Sequence, residues 1–391
     1  MIPKVAFRNI CLIAGDPSGD IYGARLIVEF LNQYPNCQFF GIGGAYMEKM
    51  GMELIYHNRN TAFMGFAEII AHLGFIRQMF KTMLRLIRER KPDAVLLIDY
   101  PGFNLRMAQK LHRLNIPVYY YIAPQTWAWK EKRVHTLRRY VKKLFVIFPF
   151  EEAYFRQFKI SVQYVGHPFG VSIFQREFPP DVLKKYHLDT EMPIIAMLPG
   201  SREQEIRRHI PVILEAIDIL KGKYPHWQFA VSRAPYIHPD VWSELMQGYE
   251  HYTYRDNLDV LLAHSQAVAV ASGTASLQVA FHTKPMVIFY KTSPLSYRLA
   301  RHFTRIKHIG MINILNGSEL FPELLQDDFT PERLAEELEK QILVFVHHPI
   351  KITKMKHLIG KLVKPDSCKT IVDTMASELL PPRKPRALPP E

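Results

Sequence analysis

Short apolar runs alternate with longer amphipathic segments along most of the chain. In the first 165 residues the apolar runs predict strands at Ile10–Ala14, Gln38–Gly41, Ala94–Ile98, Val118–Ile122, Leu144–Phe148 and Val162–Val165. Apolar residues at helical spacing occupy the segments between them, for example residues 104–114 and 130–140. This alternation is typical of a parallel sheet with helices on both faces.

The alternation stops at Gly166-His167-Pro168 and resumes with predicted strands at Ile194–Leu198, Gln228–Ser232, Ala267–Ala271 and Met286–Tyr290. We therefore predict an α/β fold of two doubly wound, Rossmann-like domains, residues 1–166 and 194–365, with a hinge at residues 167–193. A C-terminal helix at residues 366–380 and a disordered, proline-rich tail at residues 381–391 should follow. Ligands of open α/β sheets bind beyond the carboxyl ends of strands, so the cleft between the domains is the expected site.

Two turns in the second half have the character of phosphate-binding turns. The small residues Ser272, Gly273, Thr274 and Ala275 follow a buried strand and open a helix, where backbone N–H groups can bind an anion. A similar turn ends in Arg202, at a helix start where the dipole disfavours a cation. Either turn alone is equally well explained as a tight connection without a ligand. The pair favours a nucleotide diphosphate.

Acidic residues follow two predicted strands of the first half. Asp16, Ser18 and Asp20 lie in a glycine-containing turn that is neither a dinucleotide fingerprint nor a Walker loop, and helix capping would also explain them. Asp99 ends a strand, where it is either the base that deprotonates an acceptor hydroxyl or the cap of the next helix.

Aromatic and histidine residues add to these candidates. Trp127 and Trp129 follow a strand and would form a wall against a sugar or acyl chain, or simply pack between helices. His167 is either catalytic or a packed hinge residue. The chain has no Asp-x-Asp and no cluster with metal-ligand spacing, so we predict no metal and expect helix N-termini and cationic groups to stabilise a leaving diphosphate.

The formal net charge of +13 implies an acidic partner. Arg77, Lys81, Arg85 and Arg88 recur at helical spacing and predict a basic amphipathic helix. It adjoins an apolar segment, residues 63–76, that is too short and too polar to span a bilayer. The apolar residues predicted to contact acyl chains or membrane are Phe63, Met64, Phe66, Ile69, Ile70 and Leu73. Alternatively, the basic helix simply faces solvent, and the apolar segment is part of the core.

The cysteines, three in all, are too few and too scattered for a disulfide framework, which favours a reducing cytoplasm. The first nine residues contain no apolar core of signal-peptide length, so we expect no export signal. Two further basic clusters, within residues 130–143 and 298–307, accompany the amphipathic helix, and together they favour an anionic membrane surface.

Seven motifs occur in a fixed order along residues 10–330: AGDPSGD, FMGFAEI, IDYPGFN, PQTWAWK, GHP, LPGSREQEI and ASGTASLQ. In this order and spacing they resemble the motifs of the lipid-A-disaccharide synthase family. The resemblance implies a GT-B glycosyltransferase fold and a cytoplasmic protein peripheral on the inner membrane of Gram-negative bacteria. It also implies transfer of diacylglucosamine from UDP-2,3-diacylglucosamine to 2,3-diacylglucosamine 1-phosphate, with inversion and a β-1,6 linkage, and neither a metal on the nucleotide nor a cofactor.

The resemblance also assigns roles to residues. It makes Asp99 the candidate base, with Asp16 as a second catalytic candidate, and places Arg202 and residues 272–275 around the donor diphosphate. It directs Asn313 toward the donor and Gln278 toward the ribose. The family usually has Glu at both position 16 and position 278, so Asp16 is shorter and Gln278 lacks charge assistance.

Two alternatives remain at the level of sequence. One is another GT-B enzyme that uses a UDP-sugar, such as a UDP-N-acetylglucosamine epimerase or a peptidoglycan glycosyltransferase. The other is a nucleic-acid-binding protein, for which aromatic residues should be interleaved with the basic patches. The tryptophans instead follow a strand, so we predict no nucleic-acid partner.

Overall fold

The computed structural model describes residues 7–60, 73–170, 177–235, 237–294, 297–298, 304, 306–347, 349–364 and 366–379. The chain forms two compact units, residues 1–168 together with 364–391, and residues 169–363. Within each unit, helices alternate with the strands of one parallel sheet.

The first unit contains a seven-stranded sheet of order β3-β2-β1-β4-β5-β6-β7. Its strands are β1 (Asn9–Ala14), β2 (Gln38–Gly43), β3 (Glu53–His57), β4 (Ala94–Ile98), β5 (Val118–Tyr121), β6 (Lys143–Val146) and β7 (Val162–Tyr164). Its helices are α1 (Pro17–Gln33), α2 (Ala45–Lys49), α3 (Leu73–Arg90), α4 (Pro101–His112), α5 (Arg133–Tyr140) and α6 (Pro149–Gln157). The strand order reverses between β1 and β4, which is where such sheets bind ligands.

The second unit contains a six-stranded sheet of order β10-β9-β8-β11-β12-β13. Its strands are β8 (Ile194–Leu198), β9 (Gln228–Ser232), β10 (Thr253–Tyr254), β11 (Ala267–Ala271), β12 (Met286–Tyr290) and β13 (Glu323–Leu325). Its helices are α7 (Glu203–Lys223), α8 (Pro239–Leu245), α9 (Leu258–His264), α10 (Thr274–Phe281), α11 (Met311–Asn316), α12 (Pro331–His347) and α13 (Pro349–Gly360). Here the order reverses between β8 and β11.

The central strands form because they are apolar on both faces. Every residue of β4, β8 and β11 is buried, as expected of parallel strands that have helices on either side. Helix α3 contributes Met79, Met83 and Ile87 to the core of the first unit, and their spacing of four places them on one face of the helix. The sequence therefore fixes both the sheet and the helices that cover it.

The C-terminal helix α14 (Ser367–Leu379) belongs to the first unit, although the second unit precedes it in sequence. It packs on α1, and its Glu378 accepts a hydrogen bond of 3.1 Å from the Tyr119 hydroxyl. Thr374 of α14 donates to the Gln163 side chain at 3.1 Å. The sequence pattern predicted the helix but did not assign it to either domain.

The predicted bounds of β4, β8, β9, β11 and β12 are confirmed, and both predicted parallel sheets are present. Three strands, β3, β10 and β13, were not predicted. β3 contains no fully buried residue, and β10 and β13 are only two and three residues long. Helix α5 begins at Arg133, three residues later than expected, because the residues before it form a turn.

Candidate active site

Asp16 and Asp99 follow neighbouring strands at the point where the first sheet reverses. Ala14 at the end of β1 pairs with Ile98 at the end of β4, so the two turns leave the same edge of the sheet. Asp16 caps α1, because its Oδ1 accepts a hydrogen bond of 3.1 Å from the Gly19 N–H. This edge therefore brings together the two carboxylates that the sequence singled out.

The backbone at Asp99 is strained and held from two sides. Asp99 and Tyr100 have φ values of 45° and 47°, a region that costs a non-glycine residue about 1–3 kcal/mol. The Asp99 carbonyl accepts hydrogen bonds of 2.8 Å from Asn104 Nδ2 and 2.6 Å from the Tyr120 hydroxyl. Its N–H donates to the Tyr121 carbonyl at 3.0 Å. β5 and α4 thus fix the direction in which Asp99 leaves the strand.

The Asp99 carboxyl is partly buried, and its surroundings favour the protonated form. Burial and then the negative charge of Asp16 raise its pKa to about 7, with a further contribution from Glu151 and an opposing hydrogen bond from the Tyr100 backbone. A carboxyl with a pKa near neutrality exchanges protons readily at physiological pH.

Gly15 leaves room for the aromatic ring that follows Asp99. A Cβ atom on Gly15 would lie 2.4 Å from the Tyr100 ring, which is far closer than van der Waals contact. Tyr100 also stacks on Phe103, with 5.6 Å between ring centres. Any side chain at position 15 would therefore displace the residue next to Asp99.

Buried Glu151 is paired with partly buried Trp127 in the same unit. Glu151 is 1% exposed, and its Oε1 accepts a 3.1 Å hydrogen bond from Trp127 Nε1. Its Oε2 accepts from the N–H groups of Phe148 and Ile147, at 3.2 and 3.3 Å. Burial raises the Glu151 pKa to about 7, although these hydrogen bonds oppose the shift. Glu151 therefore fixes the orientation of Trp127.

Trp129, two residues further on, is exposed to solvent and forms cation–π contacts with two basic residues. It is 41% exposed, and Lys130 Nζ and Arg133 Cζ lie over its ring, 4.3 and 5.3 Å from the ring centre. The two tryptophans that the sequence singled out thus have different environments.

Asp20 and His167 are buried, and Ser18 is partly buried in the first turn of α1. The Asp20 carboxylate accepts hydrogen bonds from the N–H groups of Gly44, Tyr46 and Met47, at 2.9 to 3.1 Å, so it caps α2. His167 packs against Phe148, and burial together with the Arg25 charge lowers its pKa to about 3. These contacts support a structural role for Asp20 and a neutral, packed His167.

In the second unit, the two phosphate-type turns leave adjacent strands. Leu198 of β8 pairs with Val270 of β11, so both turns leave the same edge of the sheet. In the first turn, Arg202 Nη1 lies 2.8 Å from Glu205 Oε1, and the Arg202 side chain remains 48% exposed. Glu205 also accepts from the Ser201 N–H at 3.3 Å. The turn is thus ordered around Glu205, with its arginine accessible.

The second turn depends on a conformation that is open only to glycine. Gly273 has φ 157° and ψ −161° and precedes the first residue of α10, and both Gly273 and Thr274 are exposed. Ser272 Oγ donates to the Ile309 carbonyl at 2.9 Å, and Ser276 Oγ donates to the Gly273 carbonyl at 2.8 Å. Ala275 is partly buried in the first turn of the helix. Side chains hold this turn while the helix start stays accessible.

His209 connects the first turn to the end of β12. The N–H of Lys291 donates to His209 Nε2 at 3.0 Å, so Nδ1 carries the proton and donates to the Pro199 carbonyl at 2.7 Å. Burial lowers the His209 pKa, and the hydrogen bond to Pro199 opposes that shift. A neutral imidazole therefore links the loops that follow two strands.

Comparison with known proteins identifies the family of this chain. A family model described as lipid-A-disaccharide synthetase matches residues 10–370. The chain belongs to the lipid-A-disaccharide synthase family. It is accordingly a glycosyltransferase of lipid A biosynthesis. The lipid-A-disaccharide synthase of Geobacter metallireducens is 37% identical over 342 residues, covering 87% of this chain and 89% of the relative. That of Myxococcus xanthus is 34% identical over 376 residues, covering 96% and 98%.

Solved structures confirm the GT-B architecture expected of a lipid-A-disaccharide synthase. The UDP-GlcNAc 2-epimerase of Neisseria meningitidis, solved with UDP-GlcNAc, superimposes with a TM-score of 0.65 at 13% identity, covering 94% of this chain and 100% of that one. A calicheamicin glycosyltransferase gives a TM-score of 0.60 at 15% identity, covering 96% and 100%. At these identities the likeness concerns the fold alone, so the epimerase alternative has no support beyond it.

Two residues that the family resemblance directs toward the donor, Asn313 and Gln278, form hydrogen bonds with other groups of this synthase. Asn313 is fully buried, and its Nδ2 donates to the Phe321 carbonyl and to Glu323 Oε1, both at 2.8 Å. Its Oδ1 accepts from the N–H groups of Leu320 and Phe321. Gln278 Nε2 donates to Asp259 Oδ1 at 2.6 Å. Asn313 therefore orders the loop before β13, and Gln278 is tied to α9.

The predicted basic helix of the synthase is α3. Arg77, Lys81, Arg85 and Arg88 are all exposed, and Leu73 at its start is 37% exposed. The other apolar residues predicted to contact membrane, Phe63, Met64, Phe66, Ile69 and Ile70, lie outside the described residues. In the part of the chain that the structure describes, no helix is long and apolar enough to cross a bilayer. Nor do the described side chains form a group of three or more potential metal ligands.

Sequence reasoning missed the groups that position the candidates in this synthase. They are Gly15, Tyr100, Asn104, Tyr120, Glu151, Glu205 and His209. Asn104 ends the motif IDYPGFN, but nothing in the motif indicates that its side chain holds the Asp99 carbonyl. Tyr120 had no distinguishing signal because it occupies an ordinary core position of β5. Glu151 is the third residue of α6, where a glutamate is typical of a helix cap, and this position gives no hint of a hydrogen bond from Trp127.

Proposed function

We propose that this synthase transfers 2,3-diacylglucosamine from UDP to the 6-hydroxyl of 2,3-diacylglucosamine 1-phosphate. The product is the β-1,6-linked disaccharide 1-phosphate, formed with inversion, and UDP leaves. The observation that carries the proposal is Asp99 at the reversal point of the first sheet, with a strained, hydrogen-bonded backbone and a carboxyl whose pKa is raised to about 7. Membership of the family supports the choice of sugars.

Asp99 acts as the general base in this mechanism. The acceptor 6-oxygen forms a bond to the anomeric carbon of the donor while the bond from that carbon to the diphosphate oxygen breaks. The hydroxyl proton passes to the Asp99 carboxylate. Asp16 acts through its charge, which raises the basicity of Asp99. Because one displacement occurs, the configuration at the anomeric carbon inverts.

The second unit holds the donor in this proposal. The diphosphate binds at the helix start after Gly273, where backbone N–H groups and the helix dipole favour an anion. Arg202, whose guanidinium is paired with Glu205 and exposed, stabilises the charge that develops on UDP, whether or not the ion pair with Glu205 is kept. Asn313 and Gln278 order the loop and helix around this turn, which is how their contacts serve the donor.

The membrane role rests on α3. Its buried face is anchored in the first unit by Met79, Met83 and Ile87, and its exposed face is basic. We assign this face to anionic lipid at the cytoplasmic side of the inner membrane, where diacylated substrates reside.

The test is incubation of the purified protein with UDP-2,3-diacylglucosamine and 2,3-diacylglucosamine 1-phosphate, followed by mass analysis. The expected product is a tetraacyl disaccharide 1-phosphate together with one equivalent of UDP. Conversion of UDP-N-acetylglucosamine to its 2-epimer, without disaccharide formation, would contradict the proposal.

A further inference from the structure

The turn after β5 presents an exposed indole with two cations over it. Trp129 is 41% exposed, with Lys130 Nζ at 4.3 Å and Arg133 Cζ at 5.3 Å from its ring centre. The negative face of an indole attracts such cations and holds them in place. Lys130 has a left-handed backbone, with φ 52°, and its carbonyl accepts from the Arg133 N–H at 3.0 Å. The turn therefore brings the two cations together.

Neither cation has an ion-pair partner among the described residues. Some other cations of the same unit are paired: Arg85 with Glu89, Arg90 with Glu53 and Arg156 with Glu152. Burial lowers the pKa of both Lys130 and Arg133, and the Arg133 charge lowers that of Lys130 further. Two adjacent positive charges without a counter-ion favour the binding of an anion.

The cations lie at the edge of the sheet that carries the candidate base. β4 and β5 are neighbours, with Ile98 paired to Tyr121, so the turn after β5 and Asp99 leave the same edge. The Tyr120 hydroxyl, which donates to the Asp99 carbonyl, is within the electrostatic influence of both Asp99 and Arg133. An anion on Lys130 and Arg133 would therefore lie in the neighbourhood of the proposed reaction.

We infer that Lys130 and Arg133, supported by Trp129, form a binding site for a phosphomonoester on a sugar. The inference rests on the proposed function, in which this group is the 1-phosphate of the acceptor. A phosphomonoester carries a charge of about −1.5 to −2 at neutral pH, which matches two cations better than the single charge of a phospholipid diester. The guanidinium of Arg133 offers a fork of N–H donors to the phosphate oxygens, and the exposed indole offers a flat apolar surface to the sugar ring.

The experiment compares Lys130→Gln/Arg133→Gln with a matched control, Arg138→Gln/Arg139→Gln. Both control residues are exposed on α5, Arg139 lies 5.6 Å over the Tyr140 ring, and the loss of charge is the same. Calorimetry measures the binding of glucosamine 1-phosphate, with glucosamine as the uncharged probe. The wild type and the control should bind glucosamine 1-phosphate at least tenfold more tightly than glucosamine, and the test variant should lose that preference.

A kinetic measurement uses short-chain diacylglucosamine with and without its 1-phosphate as acceptors. The test variant should raise KM for the phosphorylated acceptor about tenfold or more and leave kcat/KM for the other acceptor and the UDP affinity unchanged. Lys130→Arg/Arg133→Lys, which keeps both charges, should restore most of the preference. A merely structural role would raise KM for both acceptors alike.

Three results would contradict the proposed phosphomonoester site. The first is a wild type that does not bind glucosamine 1-phosphate, and the second is an equal loss of affinity for it in the test and control variants. The third is a test variant that loses only its binding to phosphatidylglycerol vesicles. The last result would assign the cations to a lipid headgroup. Failure of the proposed function is separate, because a wild type that forms no disaccharide but prefers glucosamine 1-phosphate through Lys130 and Arg133 would retain this site.

Discussion

At the scale of single residues, Asp99 combines a strained backbone with a carboxyl that is easily protonated. Its carbonyl is held by Asn104 and Tyr120, so the side chain cannot escape its environment by a local backbone change. The nearby charges of Asp16 and Glu151 both favour its protonated form. In the proposed role of general base, the Asp99 carboxylate would be more basic than an exposed carboxylate and still ionised in part at neutral pH.

Replacement of Asp99, the proposed base, should lower turnover strongly and leave donor binding intact. Asp99→Asn keeps the size of the side chain but cannot accept the hydroxyl proton, so kcat should fall by about 100-fold or more. UDP affinity, measured by calorimetry, should be unchanged. Asp20→Asn is unsuitable as a control because it would disturb the cap of α2, so Asp181→Asn in the second unit, at an exposed position, serves instead. Near-normal turnover of Asp99→Asn would move the role to Asp16.

The pH dependence of the reaction provides a second check on Asp99. In the proposed mechanism the ionised carboxyl is the active form, and the Asp99 pKa is about 7, so kcat/KM should fall below that pH and by about tenfold per unit well below it. The residual activity of Asp99→Asn should lack this acidic limb. Persistence of the limb in that variant would assign it to Glu151, whose pKa is also about 7.

The same carboxyl should make stability depend on pH. In the folded protein the Asp99 pKa is raised from 3.8 to about 7, so the folded state binds more protons than the unfolded state between these values. The stabilisation is therefore complete below about pH 4 and is lost as the pH rises through about 7. Calorimetric melting should show Asp99→Asn gaining stability relative to the wild type between pH 5 and pH 8. A constant difference in Tm across this range would contradict the assignment.

At the scale of helices, strands and turns, the second sheet presents two helix starts side by side. Glu205 and His209, both on α7, tie the turn at Pro199–Arg202 to its own helix and to the end of β12. The glycine-only conformation at Gly273 shapes the other turn. Because these turns follow adjacent strands, they leave the same edge of the sheet, where the proposed diphosphate site lies.

Removal of Arg202 tests whether these turns bind the donor. Arg202→Ala should weaken UDP binding by about 1.5–3 kcal/mol, the range for hydrogen bonds to charged groups. Arg207→Ala is the control, since Arg207 lies on the same helix but pairs with Glu203 and Glu244. Unchanged UDP affinity in Arg202→Ala, or an equal loss in both variants, would remove Arg202 from the donor site.

Elements with a strong periodic pattern could be predicted from the sequence, and contacts that depend on folding could not. β8 and β11 are uniformly apolar and were predicted to the residue. β13 has three residues and gave no signal. At the site, Asp99 and Arg202 were found because they follow strands. The engagement of Asn313 by the loop at residues 320–321 depends on how that loop folds back, which no local pattern encodes.

At the scale of the whole molecule, the excess of 13 positive charges is distributed unevenly. On α3 four cations face solvent on the side opposite the buried Met79, Met83 and Ile87. Each basic residue near an anionic surface contributes about 1 kcal/mol, and salt screens this contribution. The positive charge of α3 should therefore attract the molecule to anionic membranes in a salt-dependent way.

Vesicle cosedimentation checks this attraction. The wild type should bind phosphatidylglycerol vesicles at low salt and dissociate at high salt, and Arg85→Glu/Arg88→Glu should bind less at every salt concentration. Lys184→Glu/Lys185→Glu gives the same change in net charge at exposed positions of the other unit and should bind nearly as the wild type does. No vesicle binding by a folded, active wild type would mean that the charge serves another partner.

The placement of α14 has a consequence for how the protein is made. The first unit receives this helix only after roughly 200 intervening residues have been synthesised, because residues 169–363 form the other unit. At about 5–20 residues per second, that delay is on the order of 10–40 s. During this time Tyr119 lacks Glu378, and the surface of α1 that α14 covers remains open to water or to a chaperone. Until α14 has been synthesised, this part of the first unit should be more open to proteases and to aggregation.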